Sequence, residues 1–132
     1  MKLENKKKLF NSTFIIVLIF FLDRLSKIYV LSLAKINNSV DIFVTEYLNI
    51  YLIWNEGIAF GLLSFSQSSI YNIITVLIVI ISLVVYTLII KTNDIRFYFY
   101  SLVFGGATGN LFDRLYYSAV PDFIDLHINN YH

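Results

Sequence analysis

From Ile70 to Ile90 the chain runs without a charged residue and with few polar ones. A helix needs about 20 mostly apolar residues to cross a hydrocarbon core, so this stretch predicts a transmembrane segment. Two further stretches have comparable length, from about Thr13 to Leu33 and from about Phe97 to Leu115. The first contains Asp23, Arg24 and Lys27, and the third ends in Asp113 and Arg114. Ionisable groups at membrane depth are costly, so they mark functional or interhelical sites. Composition agrees with a bilayer as solvent: 58% of the residues are hydrophobic and 14% charged, too apolar for a water-soluble domain of this length.

The lysines set an orientation. Lys2, Lys6, Lys7 and Lys8 precede the first segment, and Lys91 and Arg96 lie between the second and third. The loop from Ala34 to Ser69 has Lys35 against Asp41, Glu46 and Glu56. The positive-inside bias therefore puts the amino terminus and the 91–96 loop in the cytoplasm, and residues 34–69 and 116–132 on the outer side. A cleavable signal peptide is the competing reading of the first segment, with Ser32-Leu33-Ala34 as a small-x-small cleavage site. Asp23, Arg24 and Lys27 in its apolar centre argue against it.

The whole reads as one membrane domain, residues 1–132. The predicted fold class is all-α integral membrane: a polytopic helical bundle of three transmembrane helices with a small extracytoplasmic β-rich loop region. The β-rich part is Val40 to Ile53, which mixes β-branched and aromatic residues with polar ones before Trp54-Asn55-Glu56-Gly57 breaks the run. Gly57 to Leu63 is apolar again and predicts a short amphipathic or re-entrant piece.

Several chemistries are excluded early. Cysteine is absent and there are two histidines, His127 and His132, which removes thiol nucleophiles, disulfides and thiolate or histidine-cluster metal sites. A net charge of +1 leaves no basic stripe for nucleic acid.

Three groups of residues could carry chemistry. Asp23 and Lys27, spaced i,i+4, share one helix face. They form either a mutually neutralising pair or one wall of a polar cavity, and spacing alone favours the pair. Asn55 offers a donor and an acceptor from one amide, and Gly57, Ala59 and Gly61 after it keep volume low. Gly105, Gly106 and Gly109 allow close helix contact, and Asn110 and Asp113, spaced i,i+3, follow on one face. Beyond that helix, Asp122 is flanked by Val120, Pro121 and Phe123, which predicts a buried carboxyl. Aspartyl hydrolysis uses such a group, which can gain and lose a proton. Equally, a lone Asp in an outer loop is often a turn residue or cap.

Taken in order, these motifs resemble the lipoprotein signal peptidases (signal peptidase II). That family carries an aspartate and lysine in its first span, an Asn-x-Gly-x-Ala-Phe stretch, a Gly-Asn-x-x-Asp-Arg stretch and a Val-Val-Asp-Phe stretch. The corresponding residues here are Asp23 and Lys27, Asn55 to Phe60, Gly109 to Arg114, and Val120-Pro121-Asp122-Phe123. The resemblance implies a multi-pass aspartic endopeptidase of the bacterial inner membrane that cleaves the signal peptide from diacylglyceryl-modified prolipoproteins, with no metal or organic cofactor and no nucleic-acid partner. It implies Asp122 as one of two catalytic aspartates, with Asp23, Lys27, Asn55, Asn110, Asp113 and Arg114 shaping the site.

Two departures accompany it. Pro121 stands where the family usually has valine, which removes a backbone donor beside Asp122. The Phe-Asn-x-Ala-Asp motif that bears the second catalytic aspartate, and the fourth helix after it, are not in these 132 residues. Neither Asp113 nor Asp125 stands in that motif's context. The expectation is a catalytically incomplete chain, with an inactive relative that binds lipidated signal peptides as the alternative. A small structural membrane protein would leave the ordered motifs unexplained.

Overall fold

The computed structural model describes residues 3–55 and 67–126. It contains helices α1 (Leu3–Asn37), α2 (Gln67–Lys91) and α3 (Arg96–Tyr117), and strands β1 (Asp41–Thr45), β2 (Leu48–Asn55) and β3 (Val120–Leu126). The piece expected between Gly57 and Leu63 lies outside the described residues.

Burial is inverted relative to a water-soluble protein. Ser12, Lys27, Ser82, Ser101, Asp113 and Arg114 are buried, whereas Phe14, Leu18, Phe21 and Leu25 on α1, Ile73, Val76, Leu77 and Ile80 on α2, and Phe99 and Val103 on α3 are exposed. Helices with apolar exteriors and polar interfaces suit lipid, not water, as the surrounding medium. Two interior hydroxyls are satisfied within their own helix: Ser101 Oγ donates to Phe97 O at 2.7 Å and Ser82 Oγ to Ile78 O at 2.7 Å. Such back-bonding spares a hydroxyl any need for water.

Among the described residues, one helix is long and apolar enough by length and composition alone to cross a membrane, at Tyr71–Lys91, with a mean hydropathy of 3.1. Composition therefore identifies one span where three were expected. At 35 and 22 residues, α1 and α3 have the length, but charges lower their hydropathy. α1 also extends beyond the expected 13–33 at both ends and runs unbroken through Ser32-Leu33-Ala34.

Central in the bundle, α3 packs against both α1 and α2, which hardly touch each other. Two of its glycines set the approach to α1. A Cβ on Gly105 would lie 2.9 Å from Ile19 Cβ and 3.1 Å from Ile16 O, and one on Gly109 would lie 2.5 Å from Asp23 Oδ2. Gly106, between them, faces open space. At the lysine-rich end, Lys8 Nζ donates to Ile90 O at 2.7 Å, covering a last-turn carbonyl of α2 that lacks a helical partner. Nearby, the exposed Asp94 carboxyl accepts from the Arg96 side chain and backbone, which holds it below the ordinary carboxylate range.

The other end carries an antiparallel sheet of order β1-β2-β3. α1 stops at Asn37, and Asn38 takes a left-handed conformation with φ 61°, a usual way to leave a helix. β1 and β2 then form a hairpin, with Thr45 opposite Leu48. The third strand corrects the expectation that sheet structure is confined to the loop after α1. It comes from the tail after α3, with Asp122 opposite Ile53 and Pro121 opposite Trp54. Among the described residues β3 pairs with β2 alone and so is an edge strand, the place in a sheet where proline is tolerated. Ser118, left-handed with φ 59°, ends α3 and turns the chain into β3.

Candidate active site

The α1–α3 contact holds four charged groups. Lys27 Nζ lies 2.8 Å from Asp23 Oδ1 and 2.6 Å from Asp113 Oδ2. Arg24 Nη2 lies 2.6 Å from Asp23 Oδ2, and Nη1 donates to Asp113 Oδ1. Each carboxylate thus meets both cations, and the set is electrically balanced. A balanced, hydrogen-bonded arrangement is the way a buried charge becomes tolerable. Arg24 also donates to Gly109 O at 3.2 Å and stands 4.9 Å from the centre of the Phe112 ring. Gly109 is what lets the carboxylate of Asp23 lie against α3 at all.

Lys27 has a third acceptor, Asn110 Oδ1 at 2.9 Å. An ammonium can only donate, so the amide must turn its oxygen to Lys27, which leaves the NH2 group of Asn110 to donate elsewhere. Asn110 is exposed, and it lines an open cleft of about 340 Å³ together with Asp23, Lys27, Asn55, Arg114 and Asp122. These six come from α1, the end of β2, α3 and β3. Val120, Pro121, Phe123 and Ile124 complete the β3 wall, and Ile78 contributes from α2.

Asp122 corrects an expectation. Its apolar neighbours in sequence predicted burial, yet it is exposed, while Pro121 beside it is buried. Strand geometry is the reason, because successive side chains point to opposite faces of β3. Pro121 points inward and Asp122 to the open side. Asp113 differs in the opposite sense: it is fully buried behind the cleft, does not line it, and meets the cleft only through Lys27.

Arg114, at the last turn of α3, is buried. Its guanidinium lies 5.4 Å from the ring centre of Tyr71 on α2, and the Tyr71 hydroxyl donates to Arg114 O, the carbonyl that also receives Ser118 N–H. Tyr71 therefore pins the helix end from which the chain enters β3. Sequence reasoning missed Tyr71, and it marked Arg24 as a charge in the first span without placing it in the site. Arg24 sits next to Asp23 but off the Asp23–Lys27 face, and nothing around Tyr71 distinguishes it from other aromatics near a membrane interface. Among the described residues, no three His, Asp or Glu side chains stand close enough together to hold a metal ion.

The family model described as signal peptidase (SPase) II matches residues 15–132. The chain belongs to that family. It is 48% identical over 128 residues to the lipoprotein signal peptidase of Pelagibacter ubique (strain HTCC1062), covering 97% of this chain and 77% of that one. To the lipoprotein signal peptidase of Anaplasma phagocytophilum (strain HZ) it is 40% identical, with 84% and 70% covered. Two solved structures, each titled as a bacterial membrane enzyme studied by the in meso method, superpose with TM-scores of 0.65 and 0.68 at 29% and 30% identity. Each covers 91% of this chain, and this chain covers 72% and 76% of theirs. This is a membrane protein, mostly helical with a small antiparallel sheet, of a protease family. The segments that carried the signal peptidase II resemblance, at Asp23–Lys27, Asn55, Gly109–Arg114 and Val120–Phe123, are the ones that meet around the cleft.

Proposed function

We propose that this chain is a lipoprotein signal peptidase of the bacterial inner membrane, acting on diacylglyceryl-modified prolipoproteins through an aspartyl mechanism in which Asp122 is one of the two catalytic carboxyls. The observation that carries this reading is the position of Asp122. Its exposed carboxylate stands on the rim of a cleft whose other walls bring Asn110, Asn55, Lys27 and Arg114 from three further segments.

Asp122, as general base, takes a proton from a water whose oxygen attacks the scissile carbonyl carbon. The carbonyl oxygen becomes an oxyanion, for which the NH2 group of Asn110 is a suitable donor. Collapse breaks the C–N bond, and the departing amine takes a proton from a second carboxyl, the acid partner that two-carboxylate hydrolysis requires. The Asp23, Lys27, Arg24 and Asp113 set transfers no proton in this scheme; through Lys27 it fixes the orientation of Asn110. Three membrane spans, near residues 13–33, 70–90 and 97–115, with the amino terminus cytoplasmic, put the cleft at the outer edge of the membrane. Outer loop 34–69 and tail 116–132 then supply β1, β2 and β3. The apolar exteriors of all three helices and the lysine distribution support that topology.

The motif carrying the family's second aspartate is not among these 132 residues. A protein of these 132 residues alone is expected to bind a lipid-modified signal peptide better than it cleaves one, since a catalytic pair lacking one member loses most of the acceleration. The test compares purified 132-residue protein with a version joined to the carboxy-terminal segment of the Pelagibacter relative, using a diacylglyceryl-modified prolipoprotein and its unmodified precursor. Cleavage by the extended version of the modified substrate alone supports the reading. Binding without cleavage by both versions favours an inactive, peptide-binding relative. Full-rate cleavage by the short chain would contradict the need for a second carboxyl beyond these residues.

A further inference from the structure

At the end of the bundle opposite the cleft, the gap between α1 and α2 opens into a second cavity of about 520 Å³. Its lining is graded. Lys8 and Asn93 stand at the mouth, Ser12 lies deeper, and Ile16, Tyr86 and Ile89 form an apolar continuation between the helices. The polar groups have capacity left over. Lys8 Nζ donates to Ile90 O at 2.7 Å and to Asn93 Oδ1 at 3.3 Å, both neutral acceptors. Those two partners take two of the ammonium's three N–H donors and none of its charge. Because Asn93 turns its oxygen to Lys8, its NH2 group is also left to donate. Ser12 is 2% exposed, and its hydroxyl has no partner among the described residues.

A cation with a donor amide at the mouth, a buried hydroxyl below it and an apolar slot beyond match one kind of molecule in order: a phosphate, an ester carbonyl and an acyl chain. The surroundings agree in sign. Lys6, Lys7 and Lys91 belong to the same end, against Glu4 and Asp94, and Asp94 is already paired with Arg96. We propose that this cavity is a binding site for an anionic phospholipid of the leaflet at the amino-terminal end. The lipid phosphate lies at Lys8 and Asn93, an ester carbonyl accepts from Ser12, and one acyl chain runs along Ile16 and Ile89. The site keeps α1 and α2 at the separation that α3 imposes on them. It rests on the membrane setting and not on the role of Asp122.

Native mass spectrometry of the detergent-purified chain, titrated with phosphatidylglycerol or with phosphatidylcholine of the same acyl composition, tests this. Phosphatidylglycerol is expected to bind about fivefold more tightly, the size of effect one lysine gives with an anionic headgroup. Lys8→Arg should keep that preference and Lys8→Gln should lose it, while Ile16→Trp, which fills the acyl slot, should weaken both lipids. Inorganic phosphate should not compete. Equal binding of the two lipids, a preference that survives Lys8→Gln, or displacement by inorganic phosphate would overturn the proposal. Should a variant fail to fold, unaltered protein irradiated with a diazirine-acyl phosphatidylglycerol gives the answer by itself. Label concentrated in residues 9–16 and 86–90 supports the site, and label spread evenly over the helices contradicts it. The same experiment on the chain carrying its relative's carboxy-terminal segment must give the same map, because loss of label there would mean that protein occupies the slot.

Discussion

Asp113 has no solvent exposure, yet each of its carboxylate oxygens faces a cation, Arg24 on one side and Lys27 on the other. Removing one member of a buried set strands the others, at a cost of about 3–5 kcal/mol. Asp113→Ala should therefore lower the thermal stability of the purified protein by that order, and Asp113→Asn, which keeps an acceptor and the shape, should cost less. Equal and small losses in the two variants would show that water solvates Arg24 and Lys27 well enough to make Asp113 dispensable. The i,i+4 spacing of Asp23 and Lys27 made their ion pair legible in the sequence. Arg24 was not, since its position is decided by Asp113 and Gly109 arriving from α3, about ninety residues on. The exposure of Asp122 was hidden for a related reason: apolar neighbours suggested burial until the strand assigned alternate residues to opposite faces.

Among the elements, α3 does the most to build the cleft, and its three glycines are not equivalent. Gly109→Ala would drive a methyl group into the Asp23 carboxylate, with 2.5 Å available, and overpacking of this kind costs about 1–3 kcal/mol. Gly106→Ala meets nothing within 4 Å and should be neutral or stabilise by up to about 1 kcal/mol through helix propensity. Thermal unfolding of the two variants side by side checks this, and a Gly106→Ala change as harmful as Gly109→Ala would place the helix contact elsewhere. Small residues at this spacing announced close packing in the sequence, though not which of the three would face α1. β3 was not legible as a strand. Pro121 disguises its start, and its partner β2 lies some seventy residues earlier, so the pairing that makes it a strand is non-local. The hairpin of β1 and β2, closed by a two-residue turn, needed no such distant information.

For the molecule as a whole, the fold follows from having lipid outside and charge inside, a pattern that the run from Ile70 to Ile90 and the embedded charges of the other two helices already carried. The proposed orientation can be checked cleanly because the chain has no cysteine. A single cysteine at Tyr47 should react with a membrane-impermeant reagent in intact cells, and one at Lys7 should not; the reverse result would invert the topology. The decisive measurement concerns Asp122. In the protein extended by its relative's carboxy-terminal segment, Asp122→Asn should reduce cleavage of a diacylglyceryl-modified prolipoprotein by about a thousandfold or more, while the variant still binds the modified signal peptide with near-unchanged affinity. Cleavage by Asp122→Asn at a rate close to that of the unaltered protein would contradict the assignment of Asp122 as a catalytic carboxyl.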